Sequence, residues 1–188
     1  MKFKSLEKVH QGKFITRYDV TYETEKGNLK KYEMISRDPD IKDFDGIKSD
    51  KSEAVVLIMH DKDNTKILLN NEYRMAVGGV AINFPAGLID PGEDVKTAAA
   101  RELWEETGLK LVKVNAHWPS SYSAVGLMNE RSEVIIGVAE GEFAPSTSDE
   151  EEISASWYSK EEVKELLKTS TAFAARTQAY CYMWAYGA

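Results

Sequence analysis

The sequence predicts a mixed α/β sandwich preceded by a small antiparallel β subdomain, and three observations carry that expectation. Residues 13–35 alternate in polarity on either side of a Lys26-Gly27-Asn28 turn, the period-two signature of a hairpin. Ala54–Met59 is a continuous apolar run, as expected of a central strand covered on both faces. Further short strands alternate irregularly with helical segments, without the regular βαβ repeat of a doubly wound sheet.

Taken in order, residues 13–23 place Phe14, Thr16, Tyr18, Val20 and Tyr22 on one strand face and Ile15, Arg17, Asp19, Thr21 and Glu23 on the other. Leu29–Ile35 returns as the second strand. A lone hairpin buries too little surface to stand by itself, so it must pack on the main body or on a second subunit. Residues 38–52 are polar and turn-rich, giving a subdomain over residues 1–45 and a main domain over 46–188. After Ala54–Met59, strands are expected from Ile67 to Arg74, Val80–Phe84, Leu111–Trp118, Val134–Ala139 and about Ile153–Tyr158. Pro85-Ala86-Gly87 reads as a turn with unpaired carbonyls. A helix runs from about Asp94, with acids in its first turn, to a stop at Gly108. Ser159-x-x-Glu162 is a capping box opening another helix. Thr171–Tyr186 forms a last helix, apolar nearly all round and so expected to be buried on several sides.

Composition narrows the function. The 188 residues, 43% of them hydrophobic, suffice for a sizeable core. A formal net charge of −7 argues against a nucleic-acid surface. No apolar stretch approaches the ~20 residues of a membrane span, and the first residues lack the apolar run of a signal peptide. The single Cys181 fits a reducing compartment. The expectation is a cytoplasmic protein. His10, His60 and His117 show no metal-ligand spacing.

The chemistry concentrates in residues 85–109. On a helix, Glu102 and Glu106 lie about 40° apart and Glu105 about 60° to the other side of Glu102, so three carboxylates share a narrow arc. Ala98 lies in the same arc and leaves room for ions or phosphate, while Val95, Ala99, Leu103 and Trp104 can face a core. Like charges one turn apart oppose helix formation by about 0.2–0.5 kcal/mol per pair, and bound cations would remove that opposition. Hard oxygen donors so arranged suit Mg²⁺ or Mn²⁺, which bridge carboxylates to substrate phosphates. Arg101 is spaced to hold Glu105, and the Ala86 carbonyl is a further candidate ligand. An acidic helix face is by itself more often mere solvent surface. The full pattern from Gly87 to Leu109 has seven identity positions and two apolar ones, with a chance frequency on the order of 10⁻⁹ per window.

This stretch, GLIDPGEDVKTAAARELWEETGL, resembles the Nudix box, G-x5-E-x7-R-E-U-x-E-E-x-G-U with U apolar, at every specified position. The likeness extends to NEYRMAVGGVAINFPAGLIDPGE, which looks like the ADP-ribose pyrophosphatase branch of that family. It implies a Nudix-type α/β/α sandwich and metal-dependent hydrolysis of ADP-ribose or a related ADP-sugar to AMP and sugar phosphate. Two or more Mg²⁺ or Mn²⁺ ions with substrate bound, and a homodimer that swaps its N-terminal sheet, belong to the same expectation. By the resemblance, Ala86, Glu102, Glu105 and Glu106 hold metal and Arg74 touches phosphate. Glu151 is the general base, with Asp149 and Glu150 as alternatives, and Glu105 and Arg101 complete the catalytic set. Tyr32-Glu33-Met34-Ile35-Ser36-Arg37 is similar to a base-binding strand of the branch, with Tyr32 stacking and Glu33 and Arg37 in polar contact. Glu130 keeps its place in the substrate loop.

Two departures bear on specificity. Asn83 stands where the branch has Glu, and Val125 where it has a loop proline. Hydrolysis of another nucleotide sugar or dinucleotide (GDP-mannose, a dinucleoside polyphosphate, NADH) is therefore the alternative. A non-catalytic nucleotide-sensing module is a third reading, and the intact box speaks against it.

Overall fold

The structure is a computed structural model and describes residues 1–187. The chain packs as two units, Met1–Glu53 with Ser120–Ser132, and Ala54–Pro119 with Glu133–Ala188.

The first unit is built on strands β1 (Lys2–Gln11), β2 (Thr16–Glu23) and β3 (Leu29–Ser36), an antiparallel sheet in that order. The expected hairpin is thus two strands, β2 and β3, of a three-stranded sheet. Strand β1 escapes the sequence pattern because only Phe3 and Leu6 along it are even half-buried, and its pairing with β2 shifts register twice. Tyr18, Val20, Met34 and Ile41 form a small core with Phe3, Leu6, Tyr22 and Ile47 around it. The Tyr18 hydroxyl donates to the Asp38 carbonyl at 2.9 Å, so the buried ring keeps its polar end satisfied. Phe14, expected on the buried face, is 68% exposed, because it lies in the turn closed by Gly12 N–H on Ile15 O, ahead of β2. The turn-rich stretch holds one helical turn, α1 (Phe44–Ile47), capped by Asp43.

The second unit contains β4 (Ala54–His60), β5 (Lys66–Arg74), β6 (Gly79–Asn83), β7 (Ala86–Leu88), β10 (Ile153–Ser159) and most of β8 (Lys110–Tyr122) and β9 (Arg131–Glu140), whose residues 120–122 and 131–132 belong to the first unit. They form a mixed sheet in the order β10-β5-β4-β9-β8, with β6 on β5 and β7 on β4. Helices α2 (Val95–Thr107), α3 (Lys160–Thr169) and α4 (Ala175–Tyr186) cover it.

Strand β4 decides the layering. Val55, Leu57 and Met59 project into a core with Ala98, Ala99 and Leu103 of α2. Val56 and Ile58 project the other way, toward Val163 of α3 and Cys181 and Ala185 of α4. Each such side chain contributes about 1.5–3 kcal/mol through burial. The α/β/α sandwich follows from one apolar run that must be covered twice.

Three elements differ from expectation. Pro85-Ala86-Gly87 is not a free turn: Ala86–Leu88 pairs antiparallel with β4, and Leu57 N–H donates to the Pro85 carbonyl at 2.9 Å. The acid at the start of α2 is outside the first turn, where Asp94 caps the helix by accepting from the Lys96 and Thr97 amides at 3.0 and 3.2 Å. Helix α4 begins late, because residues 172–174 run extended beside β6, with Ile82 N–H on Ala172 O and Ala174 N–H on Ile82 O. Its apolar residues do not all sink either. Thr177, Cys181 and Ala185 are buried, while Tyr182, Met183 and Tyr186 are 58%, 71% and 49% exposed.

Gly108 ends α2 in the left-handed region at φ 76°, its amide bonded to the Trp104 carbonyl at 2.8 Å. A Cβ there would stand 2.6 Å from the Ala144 nitrogen and 2.7 Å from its Cβ. Gly108→Ala is therefore expected to destabilise the protein by more than about 1 kcal/mol, measured as a lower midpoint in urea unfolding.

Candidate active site

Helix α2 brings the sequence-predicted carboxylates together because its small face is committed to the sheet. With Ala98, Ala99 and Leu103 buried against β4, Glu102 and Glu106 fall at the helix border and Glu105 further out. Side-chain exposure is 14% for Glu102 and 37% for Glu105, and Glu106 as a residue is only 7% exposed.

Arg101 organises the rim. Its guanidinium bonds both oxygens of Glu93, Nε to Oε1 at 3.1 Å and Nη2 to Oε2 at 2.9 Å, and Nη2 also donates to the Leu88 carbonyl at 2.9 Å. Nη1 reaches Glu102 at 2.7 Å and Glu105 at 3.0 Å. The predicted Arg101–Glu105 contact is present, but the fork on Glu93 is the two-bonded one. It ties the loop after β7 to the helix, and explains why an acid precedes the arginine by eight positions. Accordingly Arg101 is held more firmly protonated than usual, first by Glu93, and Glu93 is pulled below the usual carboxylate range by Arg101.

The inner end is electrostatically the reverse. Glu106 is pushed up to about 9, first by burial and then by the charges of Glu102, Glu72 and Glu151. Glu102 is raised by burial against the opposing pull of Arg101, and Glu72 by burial against that of Arg74. Four carboxylates thus bear on one another with two arginines at their margin. Of the run Asp149–Glu152, Glu151 is the acid whose charge acts on Glu72, Glu102 and Glu106. Glu152 instead gives its carbonyl to the Tyr73 amide at 3.0 Å. Arg74, half-exposed at the end of β5, bonds Glu72 at 2.9 Å.

Glu72 and Asn70 escaped the sequence reading. Asn70 donates from Nδ2 to Glu106 Oε2 at 2.8 Å. Both lie on β5 with Arg74, at i, i+2, i+4 and so on one strand face. An alternation of Asn70, Glu72 and Arg74 inside an apolar strand was the available signal.

Ala86 lies opposite Val56, one step from the Leu57–Pro85 hydrogen bond. In an antiparallel ladder such a position turns its carbonyl away from the partner strand, so the Ala86 oxygen is directed off β4. A Cβ on Gly87 would overlap the Glu102 carboxylate, so any side chain there displaces that carboxylate. An all-oxygen donor set with excess negative charge, partly buried, fits a hard divalent cation. Among the described residues no three acidic, histidine or cysteine side chains already close on one point. In this structure Arg101 holds Glu102 and Glu105 while Asn70 holds Glu106.

The remaining predicted residues lie in the first unit. The Tyr32 hydroxyl donates to the Gly126 carbonyl at 2.5 Å, and Arg37 forms an ion pair with Glu130. Ile35 N–H adds a bond to the Leu127 carbonyl at 3.0 Å. The 123–130 loop is thereby fastened to β3 and its end. Tyr32 lines a cavity of about 330 Å³ with Tyr22, Phe44, Tyr122, Val125 and Leu127. Glu33 is not part of this group; it alternates to the other face of β3 and pairs with Arg17 at 3.0 Å. Of the histidines, His60 is buried beside the Tyr180 hydroxyl and His117 meets Glu133.

Comparison with known proteins gives a consistent family. A family model of the NUDIX domain matches residues 50–180. The chain is 44% identical over 78 residues, 40% of its length, to the ADP-ribose pyrophosphatase of Saccharomyces cerevisiae, of which the match covers 33%. It is 28% identical over 106 residues, 56% of its length, to the ADP-sugar pyrophosphatase of Mus musculus, covering 47% of that protein. The chain thus spans half or less of either relative. A crystal structure of an ADP compounds hydrolase superposes with a TM-score of 0.74 at 20% identity, covering 98% of this chain and 92% of the other.

Two outcomes follow from the site. In Gly87→Ala the added Cβ displaces the Glu102 carboxylate, so affinity for Mn²⁺, read by titration of the free ion, falls while the urea midpoint moves little. The elevated Glu106 gives the metal-free protein a particular pH dependence. The unfolded carboxyl loses its proton near ~4.3, whereas in the fold Glu106 keeps it up to about 9. Over that window the native state binds the extra proton, so stability is fullest at the acid end and declines as pH rises. Melting temperature in EDTA should fall between about pH 6 and pH 8.5, and Glu106→Gln should remove most of that slope.

Proposed function

Because the chain belongs to the NUDIX domain family, we propose that it hydrolyses the diphosphate of ADP-ribose or a related ADP-sugar, releasing AMP and a sugar phosphate. The observation that carries this reading is the group of Glu72, Glu102, Glu106 and Glu151, whose mutual charge is unfavourable unless cations share it.

Glu102, Glu105, Glu106 and the Ala86 carbonyl would hold Mg²⁺ or Mn²⁺, two or more ions with substrate present. When bound, such ions withdraw charge from the diphosphate oxygens and lower the pKa of water. Glu151, on an exposed segment before β10, takes the proton of the attacking water as its oxygen bonds to phosphorus and the bridging P–O bond breaks. Arg74 binds the phosphoryl oxygens as their charge grows, where electrostatic stabilisation is usually the largest contribution. Glu72 keeps Arg74 from turning away. Arg101 acts by position, holding Glu102 and Glu105 in reach through its anchor on Glu93.

Tyr32, Arg37 and Glu130 are proposed to recognise the base and its sugar; Glu33, named with them from the sequence, would act only from the opposite face of β3, where it pairs with Arg17. The cavity beside Tyr32 has aromatic walls suited to a flat ring, and the homodimer belongs to the same proposal. Exposed Phe14 and Leu29 at the sheet margins are the kind of surface a second subunit would cover. No helix among the described residues is long and apolar enough to cross a membrane. We place the protein in the cytoplasm on its single, buried cysteine.

A second reading, hydrolysis of another nucleotide sugar or dinucleotide, is favoured by Val125, 80% exposed where a proline would stiffen the loop. A panel of ADP-ribose, ADP-glucose, NADH, GDP-mannose and diadenosine polyphosphates with Mg²⁺ decides between them. ADP-ribose or ADP-glucose should be turned over fastest, with AMP as product; equal or better turnover of GDP-mannose would refute adenine selection. Glu106→Gln should fold normally and lose activity by at least about a hundredfold.

A further inference from the structure

Asn70 is a polar residue in a place that otherwise takes an apolar one. It follows Ile67, Leu68 and Leu69, all fully buried, and is itself 1% exposed. Its backbone is fixed on both sides, opposite Asn83 on β6 and Ala155 on β10. Its side chain therefore projects from the stiffest part of the sheet.

The side chain makes one hydrogen bond, Nδ2 to Glu106 Oε2 at 2.8 Å, while its own Oδ1 is buried without a partner. A carboxylate that serves a cation is ionised and only accepts, so the amide must present its NH₂ group and leave the oxygen unsatisfied. Burying an unpaired amide oxygen destabilises a fold, and a leucine of similar size would avoid it. For the fold alone, then, asparagine is the worse choice. Its use points to function.

Resting on the reading of this site as a divalent-cation site, we propose that Asn70 is a positioning residue that holds Glu106 for the cation. The bond occupies Oε2, fixes the rotation of the carboxyl group, and leaves Oε1 free. Glu106 is the deepest of the three helix carboxylates of the box and has no arginine on it, unlike Glu102 and Glu105. Asn70 supplies the orientation that Arg101 supplies to the others, without adding a positive charge that would repel the ion.

The test is Mn²⁺ binding to the full-length protein, followed by electron paramagnetic resonance of the free ion. Asn70→Leu should weaken binding about tenfold, as loss of a ligand's supporting hydrogen bond does elsewhere. Its melting temperature in EDTA should be unchanged or higher. In a Glu106→Gln background the same substitution should change Mn²⁺ affinity no further, which a general structural effect would not produce. Should Asn70→Leu not fold, Asn70→Ser carries the same comparison. Wild-type affinity in the Asn70 variant, or an equal loss in the Glu106→Gln background, overturns the inference. A wild-type protein that binds no Mn²⁺ would instead overturn the reading of the site on which the inference rests.

Discussion

Everything at this site depends on a carboxylate that the fold pushes out of water. Helix α2 lays its Ala98, Ala99 and Leu103 face on β4, and that docking carries Glu106 to 7% exposure beside three other acids. The apolar contact supplies the free energy and the acid absorbs part of it. Isolated burial of an ionised carboxyl is costly enough that the group would sooner keep a proton. A fold that accepts this arrangement concentrates negative charge that a multivalent cation would relieve.

The outer and inner ends of the site solve opposite electrostatic problems. At the outer end Arg101 is surplus positive charge spread over Glu93, Glu102, Glu105 and a carbonyl, and it welds loop to helix. At the inner end negative charge accumulates, answered by the neutral dipole of Asn70 and, one pair away, by Arg74 on Glu72. A cation bound as proposed would have to compete with Arg101 for Glu102 and Glu105, whereas Glu106 is held only by the neutral Asn70 amide. Gly87 keeps the approach open, since any side chain there would occupy the space of the Glu102 carboxylate.

The parts legible in the sequence are those governed by local periodicity. The α2 boundaries, its Asp94 and Gly108 ends, the Ser159 capping box and the doubly covered β4 follow from spacing and stop residues alone. Strand β1 was not legible, because a strand exposed at nearly every position has no alternation to read. The late start of α4 was hidden because pairing of residues 172–174 beside β6 overrides their helical spacing. Asn70 and Glu72 were invisible for another reason. Their meaning comes from a helix more than thirty positions away, Asn70 reaching Glu106 across |i−j| of 36, and sequence distance conceals such pairs.

The same limit governs selectivity. Tyr32 and Arg37 could be picked out in a strand, but their bonds to Gly126 and Glu130 span |i−j| of 94 and 93. Both residues fasten the same loop, and Tyr32 also lines the cavity, so any part they take in recognition would be tied to where they hold that loop. Val125 sits at its tip, 80% exposed, on the segment between the Gly126 and Ser123 contacts. Without a proline's fixed φ, the tip keeps backbone freedom that the anchored ends lack. On the proposed reading, the box carboxylates would act on the diphosphate, and the loop tied to Tyr32 and Arg37 would bear on what is attached to it.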